Sequence, residues 1–233
     1  MKIPEKKDKE TNHDYAFRVI QEGIINLELQ PGSMISEQEI ASELKLSRTP
    51  VHEALLELAK TKIVKIIPQR GSIVSLIDMA LVEESCFIRA NIESAVMELV
   101  CQKATEEDIE NLEENLVLQE FYFAKQNYGK FMELDNAFHR AMYKIAGRML
   151  CYYTVQLMNI HHARFRALRL HISNTERIVT EHKAILESIK QRDAARTKKE
   201  FLDHINSMFV DEKEIRQKYS AYFIQKEVQN EDN

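Results

Sequence analysis

The stretch "SRTPVHEALLELAKTKIVKIIPQRGSIV", residues 47–74, decides how the first third of the chain folds. Ser47 is a helix N-cap residue, and Pro50 fits a first helical turn, where amide donors lack an intrahelical acceptor. Val51, Ala54, Leu55 and Leu58 then recur at helical spacing on one face. Two β-rich runs follow, "IVKII" and "SIVSLI", joined by Pro68-Gln69-Arg70-Gly71, which predicts a hairpin. Upstream, the pattern gives a helix over about Tyr15–Leu27, a turn at Pro31-Gly32 and a short helix over Ser36–Leu44. A tight turn with Leu44 and Leu46 as apolar contacts leads from there to Ser47. Three helices and a hairpin make a winged helix-turn-helix pattern.

With the apolar face turned inward, the first turn of the Arg48–Thr61 helix projects outward with its free amides and with Ser47, Arg48, Thr49 and His52. An arginine there can pair bidentately with guanine, and a hydroxyl can reach phosphate or a base edge. Arg70-Gly71 at the hairpin tip suits a wing, because a narrow minor groove attracts arginine and glycine allows close backbone approach. A helix-turn-helix alone serves as often for packing; the wing with its Arg-Gly tip turns the reading toward double-stranded DNA. Bulk charge does not. Residues 1–77 hold equal numbers of basic and acidic side chains, so the formal excess of −5 lies in the rest of the chain. Contact with a polyanion therefore has to come from a local patch.

The run "LQPGSMISEQEIASELKLSRTPVHEALLELAKTKIVKIIPQRGSIV" closely resembles the N-terminal domain of the GntR family of bacterial transcription regulators. The PG turn, "IA..L..SRTPV.EAL..L" and the "RG..V" wing carry the resemblance. By position it implies DNA contacts at Arg48, Thr49, His52, Arg70 and Gly71. One departure is His52, where the family usually has arginine.

The chain has 233 residues, 44% hydrophobic and 30% charged, which is enough for two cores and too apolar for disorder. No run of about 18 apolar residues occurs and the first residues are charged, so a cytoplasmic protein without a membrane span is expected. Cys86, Cys101 and Cys151 form no CxxC pair and read as reduced core thiols. All four prolines precede residue 69, whereas residues 78–233 contain none and two glycines, Gly129 and Gly147. This shift predicts a boundary at Ile77/Asp78, giving a winged helix-turn-helix domain over 1–77 and an all-helical domain over 78–233, whose effector-binding and dimerisation roles are what the family resemblance implies. Polar breaks at "KATEED", "QNYGK", "AGR", "HISNTE" and "QRDAA" divide the second domain into a bundle of about six helices. The ends, MKIPEKKDKE and QKEVQNEDN, lack an apolar face and read as frayed tails.

Within the helical part, Phe131, Leu134, Phe138, Met142 and Ile145 form one stripe, and Asp135 and His139 fall inside it. Ile178, Ile185, Leu186 and Ile189 form another that includes His182. Phe201, Ile205 and Met208 form a third that includes His204. One inward histidine is most simply a hydrogen-bonded core residue. An aspartate with three imidazoles is costly to bury unless something cationic joins them, and this donor set suits Zn²⁺, Ni²⁺ or Mn²⁺ with coordination positions left open. His161 and His162, adjacent on a helix, read as ordinary surface or interface residues. In the first helix of the domain, Arg89 and Glu93 lie on the stripe of Val82, Cys86, Val96 and Val100. Either the two pair with each other, or Arg89 awaits an incoming carboxylate.

"FIRANIE", "LDNAFHRAMYKIAG", "TEHKAILESIKQRDAA" and "DHI" resemble the all-helical effector domain of the FadR-like branch of GntR regulators, in its shorter, VanR-like version. The chain departs at Arg148, where "GN" is usual. The resemblance implies a metal on the aspartate and three histidines and a small organic acid as effector, with Arg89 as a carboxylate partner. The expected protein is a homodimeric transcription regulator, in the first instance a repressor, on a pseudo-palindromic operator. The rival from another class is a metalloenzyme whose Asp135, His139, His182 and His204 activate water, with the winged unit as accessory. A sensor of fatty acyl chains is a third reading, but its relatives lack the inward histidines.

Overall fold

The computed structural model describes residues 1–170, 172 and 176–225. The chain divides into two compact units: Met1–Val82 with Ile160–Ala167 and the segment from Ile215 on, and Glu83–Asn159 with Leu168–Glu214.

In the first unit, Thr11 caps α1 (Asn12–Ile25) by accepting from Asp14 N, and the helix buries Tyr15, Ala16, Val19, Ile20 and Ile24. Ser36 caps α2 (Glu37–Leu44) in the same way, accepting from Glu39 N. α2 stops at Lys45, which takes a left-handed conformation (φ 55°) while Leu46 N returns to Ala41 O at 2.9 Å. α3 (Arg48–Lys60) then buries Val51, Ala54, Leu55 and Leu58, the stripe expected from the sequence, against α1, α2 and the sheet. β2 (Val64–Ile67) and β3 (Gly71–Val74) form the expected antiparallel hairpin. A third, two-residue strand, β1 (Met34–Ile35), pairs with β3 to give the order β1-β3-β2. It escaped the sequence reading because two residues carry no periodicity.

The N-terminal tail is not frayed. Tyr15 donates its hydroxyl to Pro4 O at 2.9 Å, and Arg18 Nε meets Glu10 at 2.7 Å, drawing that carboxyl down to about 2. Specific polar contacts do here what the missing apolar face cannot. Of the other tail, residues 226–233 lie outside the described residues.

The second unit holds α4 (Met79–Lys103, from Glu83), α5 (Glu106–Ala124), α6 (Tyr128–Ala146), α7 (Met149–Met158), α9 (Glu176–Lys190) and α10 (Ala194–Ser207). Four of the expected breaks fall between these helices, each with its own device. Thr105 and Asp108 form a capping box, Asn127 accepts from Lys130 N, Gly147 ends α6 at φ 68°, and Asp193 accepts from Arg196 N. Most of the fifth, "HISNTE", lies outside the described residues. Two interruptions were not expected. The long run after "AGR" divides at Asn159 into α7 and α8 (Ile160–Arg169), and α10 passes through a 3-10 turn (Met208–Asp211) into α11 (Glu212–Lys218). Neither break contains glycine or proline, so the sequence did not mark them.

α8 also corrects the reading of His161 and His162, which are buried. A helix buried around most of its circumference has no surface side for either of two adjacent residues to occupy. Ile160 joins the core of the winged unit, His161 Nε2 donates to Thr61 O at 3.0 Å, and Arg164 donates to Ser75 O. Burial lowers the Arg164 guanidinium to about 10.

Candidate DNA-reading face and metal centre

The turn from Lys45 to Ser47 aims the start of α3 outward. Ser47 occupies the N-cap position with extended backbone (φ −72°, ψ 166°), but its hydroxyl makes no cap bond among the described residues. Thr49 follows as an exposed residue, and the side chains of Arg48 and His52 are 67% and 50% exposed. At the hairpin, Arg70 N closes a turn on Ile67 O at 3.0 Å, with Gln69 at φ 63° and Gly71 at φ 101°. Pro68 to Gly71 are all exposed. The structure thus presents every expected DNA-contacting residue on the surface of the winged unit.

Glu37 is an addition. It begins α2, where a negative charge is favourable, and its carboxylate reaches across to α3. His52 Nδ1 lies 2.9 Å from Glu37 Oε1, and Arg48 stands 3.8 Å from Oε2. An acidic group therefore touches both residues expected to read DNA. No sequence signal joined it to His52, because the two meet only after α2 folds against α3.

In the helical unit, Asp135 and His139 lie one turn apart on α6, His182 sits on α9 and His204 on α10, all four buried. His139, His182 and His204 each offer one ligand atom, and these atoms lie within 4.8 Å of one another. Asp135 borders the trio, its Oδ1 3.9 Å from His182 Nε2. Phe138 stacks on the His182 ring at 4.6 Å between centroids, and Phe201 packs at 6.0 Å from His139 and 6.1 Å from His204, giving the cluster an apolar wall. Three convergent imidazoles bordered by a carboxylate are a donor set that can hold a divalent ion.

Two residues missed in the sequence contact these histidines at Nδ1. Gln119 Oε1 is 3.0 Å from His182 Nδ1, and Glu181 Oε2 is 2.8 Å from His204 Nδ1. Gln119 had a signal, since it continues the buried α5 stripe of Leu112 and Leu116. Glu181 had none.

Arg89 is buried beside its own helix partner. Its Nε meets Glu93 Oε2 at 3.1 Å, and Tyr143 donates its hydroxyl to Glu93 Oε1 at 2.8 Å. Burial, with the Glu93 charge, pushes the Tyr143 phenol well above its ordinary value. Tyr143 stands one turn after His139 on α6, so this ion pair adjoins the imidazole cluster along that helix. Cys86, one turn before Arg89, donates to Met208 Sδ at 3.3 Å, and burial pushes its thiol up to about 11.

Comparison with known proteins agrees with this layout. Residues 14–74 match the model for bacterial regulatory proteins of the gntR family, and residues 84–207 match the FCD domain. The chain belongs to the GntR family of bacterial transcription regulators, with an FCD domain as its helical part. The HTH-type transcriptional repressor RspR of Escherichia coli K12 is 31% identical over 208 residues, covering 89% of this chain and 91% of that protein. An HTH-type transcriptional regulator in an unstable DNA locus of Streptomyces ambofaciens is 30% identical over 88% of this chain and 87% of its own length. Among solved structures, Escherichia coli McbR/YncC shares the fold with a TM-score of 0.75 at 19% identity, covering 90% of this chain and 99% of that one. These families are regulators and not enzymes. Among the described residues no helix is long and apolar enough to cross a membrane.

Proposed function

We propose that this chain is a homodimeric repressor whose operator binding responds to a small organic acid sensed at a metal site. Residues 1–77 read a pseudo-palindromic operator: Ser47, Arg48, Thr49 and His52 enter the major groove, and Arg70 with Gly71 enters the minor groove. Residues 78–233 bind effector and partner subunit. The single observation that carries the sensing half is the convergence of three buried imidazoles within 4.8 Å, bordered by Asp135. Neutral imidazoles and a carboxylate gathered in an apolar core cost free energy unless a cation joins them.

Asp135, His139, His182 and His204 would hold a Zn²⁺, Ni²⁺ or Mn²⁺ ion, which would supply a Lewis acid for a carboxylate oxygen. The ligands come from three helices, so their spacing sets the relative placement of α6, α9 and α10. Arg89 is the effector's second contact: an incoming carboxylate competes with Glu93 for its guanidinium, and Tyr143 loses or keeps its acceptor accordingly. The acid alters operator affinity only by the difference in its own affinity for the two dimer geometries.

Dimerisation is supported by α7. Its ten residues include no charge, yet Leu150, Tyr153, Leu157 and Met158 are exposed. Ser85 of α4 donates to Met158 O at 2.7 Å, and Phe87, two residues on, is 71% exposed. An apolar face of this extent suits a second copy, which a single neutral winged unit also needs for adequate operator affinity. The test is an operator-shift titration of metal-loaded and metal-stripped protein with a panel of small organic acids, with light scattering for oligomeric state. The reading requires an acid that shifts affinity only in the loaded dimer; a monomer, or an acid response independent of metal, overturns it.

A further inference from the structure

The hydrogen bonds behind His182 have a polarity that can be traced to one backbone carbonyl. Leu134 O can only accept, so Asn115 Nδ2, 3.1 Å away, is the donor. Asn115 therefore turns its Oδ1 toward Gln119, which must supply its own Nε2, at 2.7 Å. That leaves Gln119 Oε1 facing His182 Nδ1 at 3.0 Å, and an amide oxygen only accepts. His182 thus carries its proton on Nδ1. In the neutral ring, the form that binds a metal, this leaves the lone pair on Nε2, on the side of Asp135 Oδ1. Gln119 is fully buried, so solvent does not compete for these bonds.

His204 reaches the same state by a different route. Glu181 Oε2 accepts from His204 Nδ1 at 2.8 Å and from Ser207 Oγ at 3.0 Å, while Arg177 Nε stands 3.4 Å from Oε1. A carboxylate facing three donor groups has only acceptors to offer, so His204 Nδ1 holds a proton, and in the neutral ring the lone pair falls on Nε2. A divalent ion binds imidazole through a lone pair and is repelled by an N–H, so the opposite tautomer of either ring would close the site.

We infer that Gln119 and Glu181 are positioning residues of the metal centre proposed above, fixing His182 and His204 in the Nδ1–H tautomer so that both Nε2 lone pairs face the cluster before an ion arrives. The inference rests on that reading of the cluster. The two supports differ in strength. Glu181 is anionic and makes His204 the more basic ligand, whereas the neutral Gln119 amide only orients His182. Arg177 also donates to Asp211, 2.9 Å away, which accepts from Arg169 at 2.8 Å, so the Glu181 carboxylate is anchored to the end of α10 and cannot swing freely.

The test measures Zn²⁺ affinity of the full-length protein by competition with a chromophoric chelator, in wild type, Gln119→Leu, Glu181→Ala and Glu181→Gln, with metal-free melting curves alongside. Gln119→Leu and Glu181→Ala should each weaken Zn²⁺ binding about 10–100-fold, Glu181→Ala more. Glu181→Gln keeps an acceptor for His204 Nδ1 and should lose less than Glu181→Ala, which a merely structural role would not produce. If wild type binds Zn²⁺ and all three variants stay within about twofold of it, the positioning role is wrong and the metal centre stands. The positioning role is equally wrong if Glu181→Gln is as damaging as Glu181→Ala. If wild type binds none of Zn²⁺, Ni²⁺ and Mn²⁺, the metal centre fails and this inference falls with it.

Discussion

Arg48, His52 and Arg70 stand exposed on turns of the winged unit, within 23 positions of sequence, whereas Asp135, His139, His182 and His204 lie buried on three helices spread over residues 135–204. In the proposed function the first set meets a ligand that comes from outside, so its residues gather where helix starts and hairpins place them, and local turn chemistry reveals them. The second works by meeting one another. Its residues are recognisable because they break an apolar rule at helical spacing. A polar residue out of place is thus informative in both units, but for opposite reasons: one is conspicuous at the tip of an element, the other in the middle of a stripe.

The largest expected effect lies on the buried side. His182→Ala removes one of the proposed ligands and should cost more metal affinity than the about 10–100-fold typical of a supporting residue. Metal analysis of the purified variant by mass spectrometry checks this. Wild-type affinity should also fall as pH is lowered, because protons and the ion compete for the same imidazole lone pairs. If His139→Ala, His182→Ala and His204→Ala all retain metal and effector response, the inward histidines are packing residues and the contrast between the units disappears.

What could be read from sequence follows the same division. In the winged unit α2, α3 and the hairpin were legible, since Ser36, Pro50 and the Pro68–Gly71 link are local signals for caps and turns, whereas β1 and the contacts of the N-terminal tail were not. In the helical unit the four polar residues and most breaks were legible because stripe and cap are local too. Partners were not. Glu37 finds His52, Gln119 finds His182 and Glu181 finds His204 only through tertiary packing, and each lies on a different helix from the residue it touches. The break at Asn159 and the burial of α8 were invisible for a related reason. The run "IHHARFRALR" is polar by composition, and its burial depends on Thr61 O and Ser75 O accepting from His161 and Arg164.

On the exposed side the next effect is at Arg48. Arg48→Ala should cost about 1–3 kcal/mol of operator affinity and relax base preference at one position of each half-site. Arg70→Ala should weaken binding with dependence on minor-groove width in place of base identity. Fluorescence anisotropy on an operator library separates these patterns, and unchanged affinity in both variants removes the DNA-reading role.

Glu37 sharpens the contrast on a smaller scale, because among the described residues it touches both Arg48 and His52. Glu37→Gln frees them from a partly exposed carboxylate, an interaction of the class worth about 0.2–1 kcal/mol. Operator affinity should therefore rise, by about fivefold at most, with a steeper dependence on salt as more positive charge faces the phosphates. A fall in affinity would mean that Glu37 holds the two side chains in their reading positions.

The smallest effect concerns His161, a buried polar residue outside either site. Burial is the main cause that lowers its pKa from the ordinary 6.5, with Thr61 O opposing and Arg164 reinforcing the shift. The sign follows from proton uptake. Once the pH falls below about 6.5 the unfolded chain protonates this ring while the folded chain refuses the proton, so unfolding takes up a proton and stability drops. The loss begins near 6.5 and continues down to the folded-state value, where both states are protonated and the slope vanishes. His161→Gln keeps an N–H for Thr61 O and removes the titration. Chemical denaturation between pH 5 and 8 should then show a shallower loss toward acid for His161→Gln than for wild type. Every other side chain is common to the two proteins, so the difference between the two curves is the quantity that reports on His161. Superimposable slopes would mean that the folded chain takes up the His161 proton as readily as the unfolded chain does, and that burial of the α8 imidazole does not disfavour its charged form.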